Sequence, residues 1–153
     1  MKQIDLATFL DLTGYDNEER KARRKEEKSE EFFTPYSLVM KMCSKIPEEK
    51  WNDPDAEMLE PSMGNGNFVL AMIYLKIIHG SSWKQSLEHV FGVELFQQNV
   101  NECHNRVIDL LKAMDLPDFD ESIAREIMKE NLVCSNFFNW DFLNWCPLEE
   151  KNK

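Results

Sequence analysis

Three short strand candidates, EMLE at 57–60, HVFGVELF at 89–96 (rich in Val and Phe) and NLVCSNFF at 131–138, alternate with stretches whose apolar residues recur at helical spacing. That alternation constrains the fold more than any other feature. Parallel strands need a long connection between them, and a helix is its usual form. The pattern predicts an α/β fold of about three parallel strands with flanking helices and right-handed crossovers. Helices are expected at 36–46, where Leu38, Val39 and Met42 keep the spacing and Pro47 stops it, and at 67–78, ahead of HGSS. A third spans 97–114, with Val100, Cys103, Val107, Leu110 and Leu111 as its apolar stripe, and a short one spans 123–129. EEKWNDPD, residues 48–55, reads as loop from its Asn, Asp and Pro content.

Ahead of these elements, residues 3–14 predict a short amphipathic helix ending at Gly14. Residues 16–31 predict a solvated helix in which Glu and Lys pair at i,i+4. The basic cluster KARRK, 21–25, sits inside NEERKARRKEEKSEE, where flanking acids nearly cancel it; phosphate binding is the alternative reading of that cluster. Residues 1–30 thus read as an N-terminal helical extension and 31–153 as the domain proper.

A chain of 153 residues is one domain's worth and buries roughly two thirds of the surface its unfolded form exposes. Its net charge of −10 argues against unassisted nucleic-acid binding, which draws most of its affinity from Lys and Arg neutralising phosphates. No apolar stretch approaches the roughly 20 residues of a membrane span, so no membrane partner is expected. The N-terminus lacks the uninterrupted apolar core of a signal peptide, which predicts an intracellular, reducing, cytoplasmic setting. The four cysteines include no C-x-x-C pair. Cys103 beside His104 raises a metal reading, yet adjacent helical side chains diverge, and buried thiols with no metal site are the expectation.

MLEPSMGNGNFVLAM, 58–72, runs from a strand through Gly64 and Gly66 into a helix. In that geometry the absent Cβ atoms let a ligand come close. Glu94 closes the second strand 28 residues after Gly66, and a carboxylate there accepts two hydrogen bonds from ribose hydroxyls. The plainer alternative is that Glu94 only caps its strand. A dinucleotide fingerprint would place glycine at 69, where this chain has Val69, so NAD fits badly. No Lys or Arg lies between 58 and 75, which favours a sulfonium cation over a pyrophosphate.

Residues 32–35, FFTP, and 59–68, LEPSMGNGNF, resemble motifs X and I of the N6-adenine DNA methyltransferases in which motif X lies N-terminal to motif I. VFGVEL, 90–95, is similar to motif II, and NLVCSNFFNWDF, 131–142, to motif III, so the likeness covers about residues 30–142. It implies an incomplete Rossmann-like class I methyltransferase fold whose cofactor is S-adenosyl-L-methionine. By that resemblance Thr34 and Pro35 lie by the methionyl end, and Glu60, Pro61 and the backbone of Ser62, Gly64 and Gly66 wrap it. Glu94 takes the ribose hydroxyls, Leu95 lies against the adenine, and Phe137 packs on the ring. Asn136 stands where the family usually has an aspartate accepting from the adenine amine; an amide oxygen still accepts that bond, with less strength.

The family's motif IV, (N/D/S)-P-P-(Y/F), which receives the target amine, is absent, because no two of the six prolines are adjacent. No catalytic residue is therefore assigned. The chain stops at LEEKNK, roughly where a fourth strand would begin. The expectation is the cofactor-binding part of an adenine methyltransferase, truncated or split, reaching DNA only through a missing C-terminal segment or a partner subunit that completes the sheet. The alternatives are a non-catalytic S-adenosylmethionine-binding module, regulatory or anti-restriction, and a scaffold without ligand. The tail FFNWDFLNW, 137–145, is expected to fill the place of the missing strands, with stacking on bases as the other reading.

Overall fold

The computed structural model describes residues 1–13, 22, 25 and 34–149. The helix expected at 16–31, apart from residues 22 and 25, lies outside the described residues, as do Phe32 and Phe33. Helix α1 (Leu6–Thr13) is followed by α2 (Tyr36–Cys43) and α3 (Glu48–Asn52). Strand β1 (Met58–Glu60) leads into α4 (Asn67–Ile78) and α5 (Trp83–Glu88). Strand β2 (Val90–Glu94), α6 (Gln97–Ala113), α7 (Glu121–Asn131) and β3 (Leu132–Cys134) follow. A 3-10 turn, Phe137–Asn139, and the short antiparallel pair β4 (Trp140–Asp141) and β5 (Cys146–Pro147) end the described chain.

The strands form one parallel sheet in the order β1-β2-β3, with Leu59 beside Phe91 and Val93 beside Val133. This is an α/β arrangement compatible with a Rossmann-like fold. Among the described residues β1 pairs on one side only. Side chains alternate across a strand, so the register separates two faces. Met58, Val90 and Leu132 share the face that joins the main core with α4, α6 and α7. Gly92 belongs to that face because Met63 and Leu132 fill the space its Cβ would need.

The other face carries Leu59, Phe91, Val93 and Val133. Leu59 is 47% exposed, and the ring of Trp145 meets Phe91 edge-on at 4.8 Å, with its indole N–H donated to the Glu130 carbonyl. The aromatic tail thus packs on the sheet and on itself, since Trp140 and Phe142 also contact Trp145. Helix α1 is part of the same core: Leu6 and Leu10 are buried in it. No helix among the described residues is long and apolar enough to cross a membrane.

Two expected elements are corrected. Residues 48–52 are helical, because Pro47 fixes the entry φ and Trp51 buries one face of the single turn. The third strand ends at Cys134 rather than 138: the Asn136 side chain accepts the Phe138 N–H and turns the chain into the 3-10 segment.

Candidate functional site

Four segments meet at the C-terminal edge of the sheet. After β1 the Glu60 carboxylate accepts the Ser62 N–H at 3.0 Å, the Met63 N–H donates to the Val93 carbonyl, and the Gly66 N–H closes the turn on the Met63 carbonyl. Gly64 and Gly66 have φ of +56° and +98°, conformations that cost a residue with a Cβ. A Cβ on Gly66 would also collide with Cys103 Sγ on α6. The turn therefore lies directly on α6.

Glu94 is buried and binds the turn: its Oε2 accepts the Gly64 N–H at 2.8 Å. Its Oε1 accepts the Phe96 N–H at 3.1 Å and, at 3.5 Å, an amide hydrogen of Asn99. A carboxylate has about four acceptor positions, so one remains on Oε2. The Glu94 carbonyl accepts the Ser135 N–H at 2.9 Å, which sets the third segment beside the second. Thr34 arrives from the other side, its carbonyl accepting the Asn67 side-chain amide at 2.7 Å.

Glu60, Pro61, Ser62, Gly64 and Gly66 thus lie on one turn that hydrogen bonds tie to the buried Glu94 and, through Asn67, to Thr34. Pro35 is exposed as the residue capping α2. Leu95, Asn136 and Phe137 stand at the rim, Leu95 56% and Phe137 45% exposed, with the Phe137 ring against Phe138 and Phe142 rather than a pocket wall. A cavity of about 440 Å³ opens elsewhere, among Met40, Cys43, Ile46, Trp51, Leu75 and His79, and none of the candidate ligand-site residues lines it.

Sequence reasoning missed Arg106, Asn67 and Asn99. Arg106 is buried on α6 and donates to the Asn65 carbonyl at 2.8 Å, so a cation does reach the turn, from the core side. Its signal was a charged residue on the apolar stripe between Cys103 and Val107. Burial pushes the Cys103 thiol up to about 12, with Glu94 adding to the rise and Arg106 opposing it. The neighbouring His104 N–H donates to the Leu132 carbonyl at 2.9 Å, and burial lowers its pKa. Both residues thus have structural partners, and among the described residues no group of His, Cys, Asp and Glu is arranged for a metal.

Burial also pushes the Glu60 carboxyl above its ordinary value, against the Ser62 N–H that lowers it. The folded state therefore holds this proton more tightly than the unfolded state. Its contribution to stability is fully present below the unfolded value, about 4.3, and is lost as pH rises through the folded one. Glu60→Gln is expected to flatten stability against pH in that window, measured by urea unfolding from pH 4 to pH 7; an unchanged slope would contradict the assignment.

Comparison with protein-family models, with curated proteins and with solved structures finds no significant match to this chain.

Proposed function

We propose that the chain binds S-adenosyl-L-methionine as the cofactor-holding part of a DNA adenine-N6 methyltransferase. The observation that carries this reading is the bond between the Glu94 carboxylate and the Gly64 N–H, which joins the acid ending β2 and the glycine turn into one site. The state of the turn's donors supports the ligand class. The N–H groups of Ser62, Gly64 and Gly66 are all bonded within the protein, whereas a pyrophosphate asks for such groups to be turned toward it. An adenosine with a cationic sulfonium tail needs an acceptor for the ribose, which Glu94 offers, and apolar surface for the purine, which the part-exposed Leu95 and Phe137 offer at the rim. Bound there, the sulfonium would present an activated methyl group.

Transfer of that methyl group calls for an N-P-P-Y-type turn that these residues do not contain. The free side of β1 and the half-exposed Leu59 beside it suit a protein partner that adds a strand and brings that turn together with the DNA-contacting region. The absent motif equally favours a second reading, a non-catalytic S-adenosylmethionine-binding module with a regulatory or anti-restriction role. An N-P-P-Y sequence encoded immediately downstream would select the first.

Calorimetric titration with S-adenosylmethionine, with NAD as control, tests the site. A dissociation constant on the order of micromolar for the first and none measurable for the second is the expected result. Equal indifference to both would leave a scaffold without ligand.

A further inference from the structure

The glycine turn is held by a closed ring of hydrogen bonds that runs through the N-terminal helix. Arg106 donates through one guanidinium nitrogen to the Asn65 carbonyl, between the two glycines, at 2.8 Å. Through the other it donates to the carbonyls of Phe9 and Leu10 in α1, at 3.0 and 3.4 Å. Helix α1 in turn caps α2, because the Asp11 carboxylate accepts the Tyr36 N–H at 3.0 Å. Just before Tyr36, the Thr34 carbonyl accepts the Asn67 amide at 2.7 Å, and Asn67 opens α4 directly after the turn. The ring thus passes from the turn to Arg106, α1, Asp11, Thr34 and back to the turn.

We propose that α1 is a constituent of the ligand site, with Arg106 and Asp11 as positioning residues that set the conformation of the turn. The ligand half of this statement rests on the reading given above. The Gly66 N–H holds one side of the peptide between Asn65 and Gly66 to the Met63 carbonyl, and the Arg106 bond to the Asn65 carbonyl holds the other, which fixes its orientation between two conformationally permissive glycines. The same cation sits on the carbonyls of the second half of α1, the side of the helix whose dipole favours positive charge. One guanidinium serves both sides, so undocking α1 loosens the turn and ordering the turn stabilises α1. By linkage, a ligand that orders the turn protects α1 to the same degree.

The test measures hydrogen exchange and ligand affinity on the full chain. Arg106→Met is expected to lower amide protection at 6–13 and 62–68 together. Asp11→Ala, which breaks the ring at an exposed bond and spares the core, is expected to do the same more weakly. Arg106→Lys, with a point charge in place of a fork, keeps one tie and falls between. Met128→Ala, a core change on α7, is the control for lost global stability. Protection at 62–68 unchanged in both Arg106→Met and Asp11→Ala overturns the proposal whether or not any ligand binds.

With S-adenosylmethionine, Arg106→Met is expected to bind about tenfold more weakly and Asp11→Ala about threefold, with Met128→Ala unchanged. Equal weakening by Met128→Ala would reduce the effect to stability and overturn the positioning role. Failure of the unaltered chain to bind removes the cofactor reading and leaves the exchange result to decide the ring.

Discussion

Gly66→Ala is expected to destabilise the fold by about 2–5 kcal/mol, the sum of roughly 1–2 for a left-handed backbone and roughly 1–3 for overpacking. The two terms have separate causes at this position. A φ of +98° disfavours any side chain, and the added Cβ meets Cys103 Sγ on α6. A cycle with Cys103→Ala separates them. That change removes the sulfur and relieves the collision, leaving the backbone strain in place. The double variant is therefore expected to recover about 1–2 kcal/mol relative to additivity. Urea unfolding at constant m is the measurement, and strictly additive losses would mean that the turn does not rest on α6. Against a typical total of about 5–15 kcal/mol, the single change is severe.

How far the sequence disclosed this contact depends on periodicity. The stripe of α6, including Cys103, was legible because every member recurs at helical spacing and is buried. The parallel strands were legible because long helical stretches separate them. Local chemistry in short segments was harder to read. Helix α5 begins with Ser82-x-x-Gln85, and both bonds of a capping box are present, at 3.1 and 3.0 Å, but six residues carry too little periodicity to announce a helix. Asp120 caps α7 through one bond, its carboxylate accepting the Ile123 N–H, which starts that helix at Glu121 rather than 123; it runs to Asn131 rather than 129. In β4 and β5, two residues each leave no pattern at all.

The site divides along the same line. Glycines and an acid at strand ends are visible as residue types at spacings, whereas Arg106 joins residues 41 and 97 positions apart in the chain, which only the fold brings together. It also changes the electrostatic expectation. A sequence free of basic residues from 58 to 75 suggested an electrically quiet turn. Instead Arg106 binds the Asn65 carbonyl and Glu94 the Gly64 N–H, and the two charges push the Cys103 thiol in opposite directions. The turn is thus held between a cation and an anion, and the anion is the one whose remaining acceptor position a ligand would use.

Glu94→Gln is the second large effect expected. The amide keeps nearly the same volume but has one oxygen where the carboxylate has two, and Gly64 and Phe96 donate to different oxygens. One backbone N–H must then face an amide N–H. An unsatisfied donor costs about 1–3 kcal/mol, and Glu94→Ala, which strips both, about 2–4 kcal/mol. Stability alone does not distinguish a strand cap from a ribose acceptor, because both roles need these bonds. The ligand does. If Glu94 holds the ribose as proposed, loss of that hydroxyl bond to a charged acceptor is expected to weaken S-adenosylmethionine by about 10- to 100-fold. The same substitution should weaken a 2′,3′-dideoxy analogue, which has no hydroxyl to lose, by clearly less, through the turn alone. A cap that acts only by holding the turn would weaken both ligands equally, so parallel losses in the two titrations would exclude Glu94 as a ribose contact.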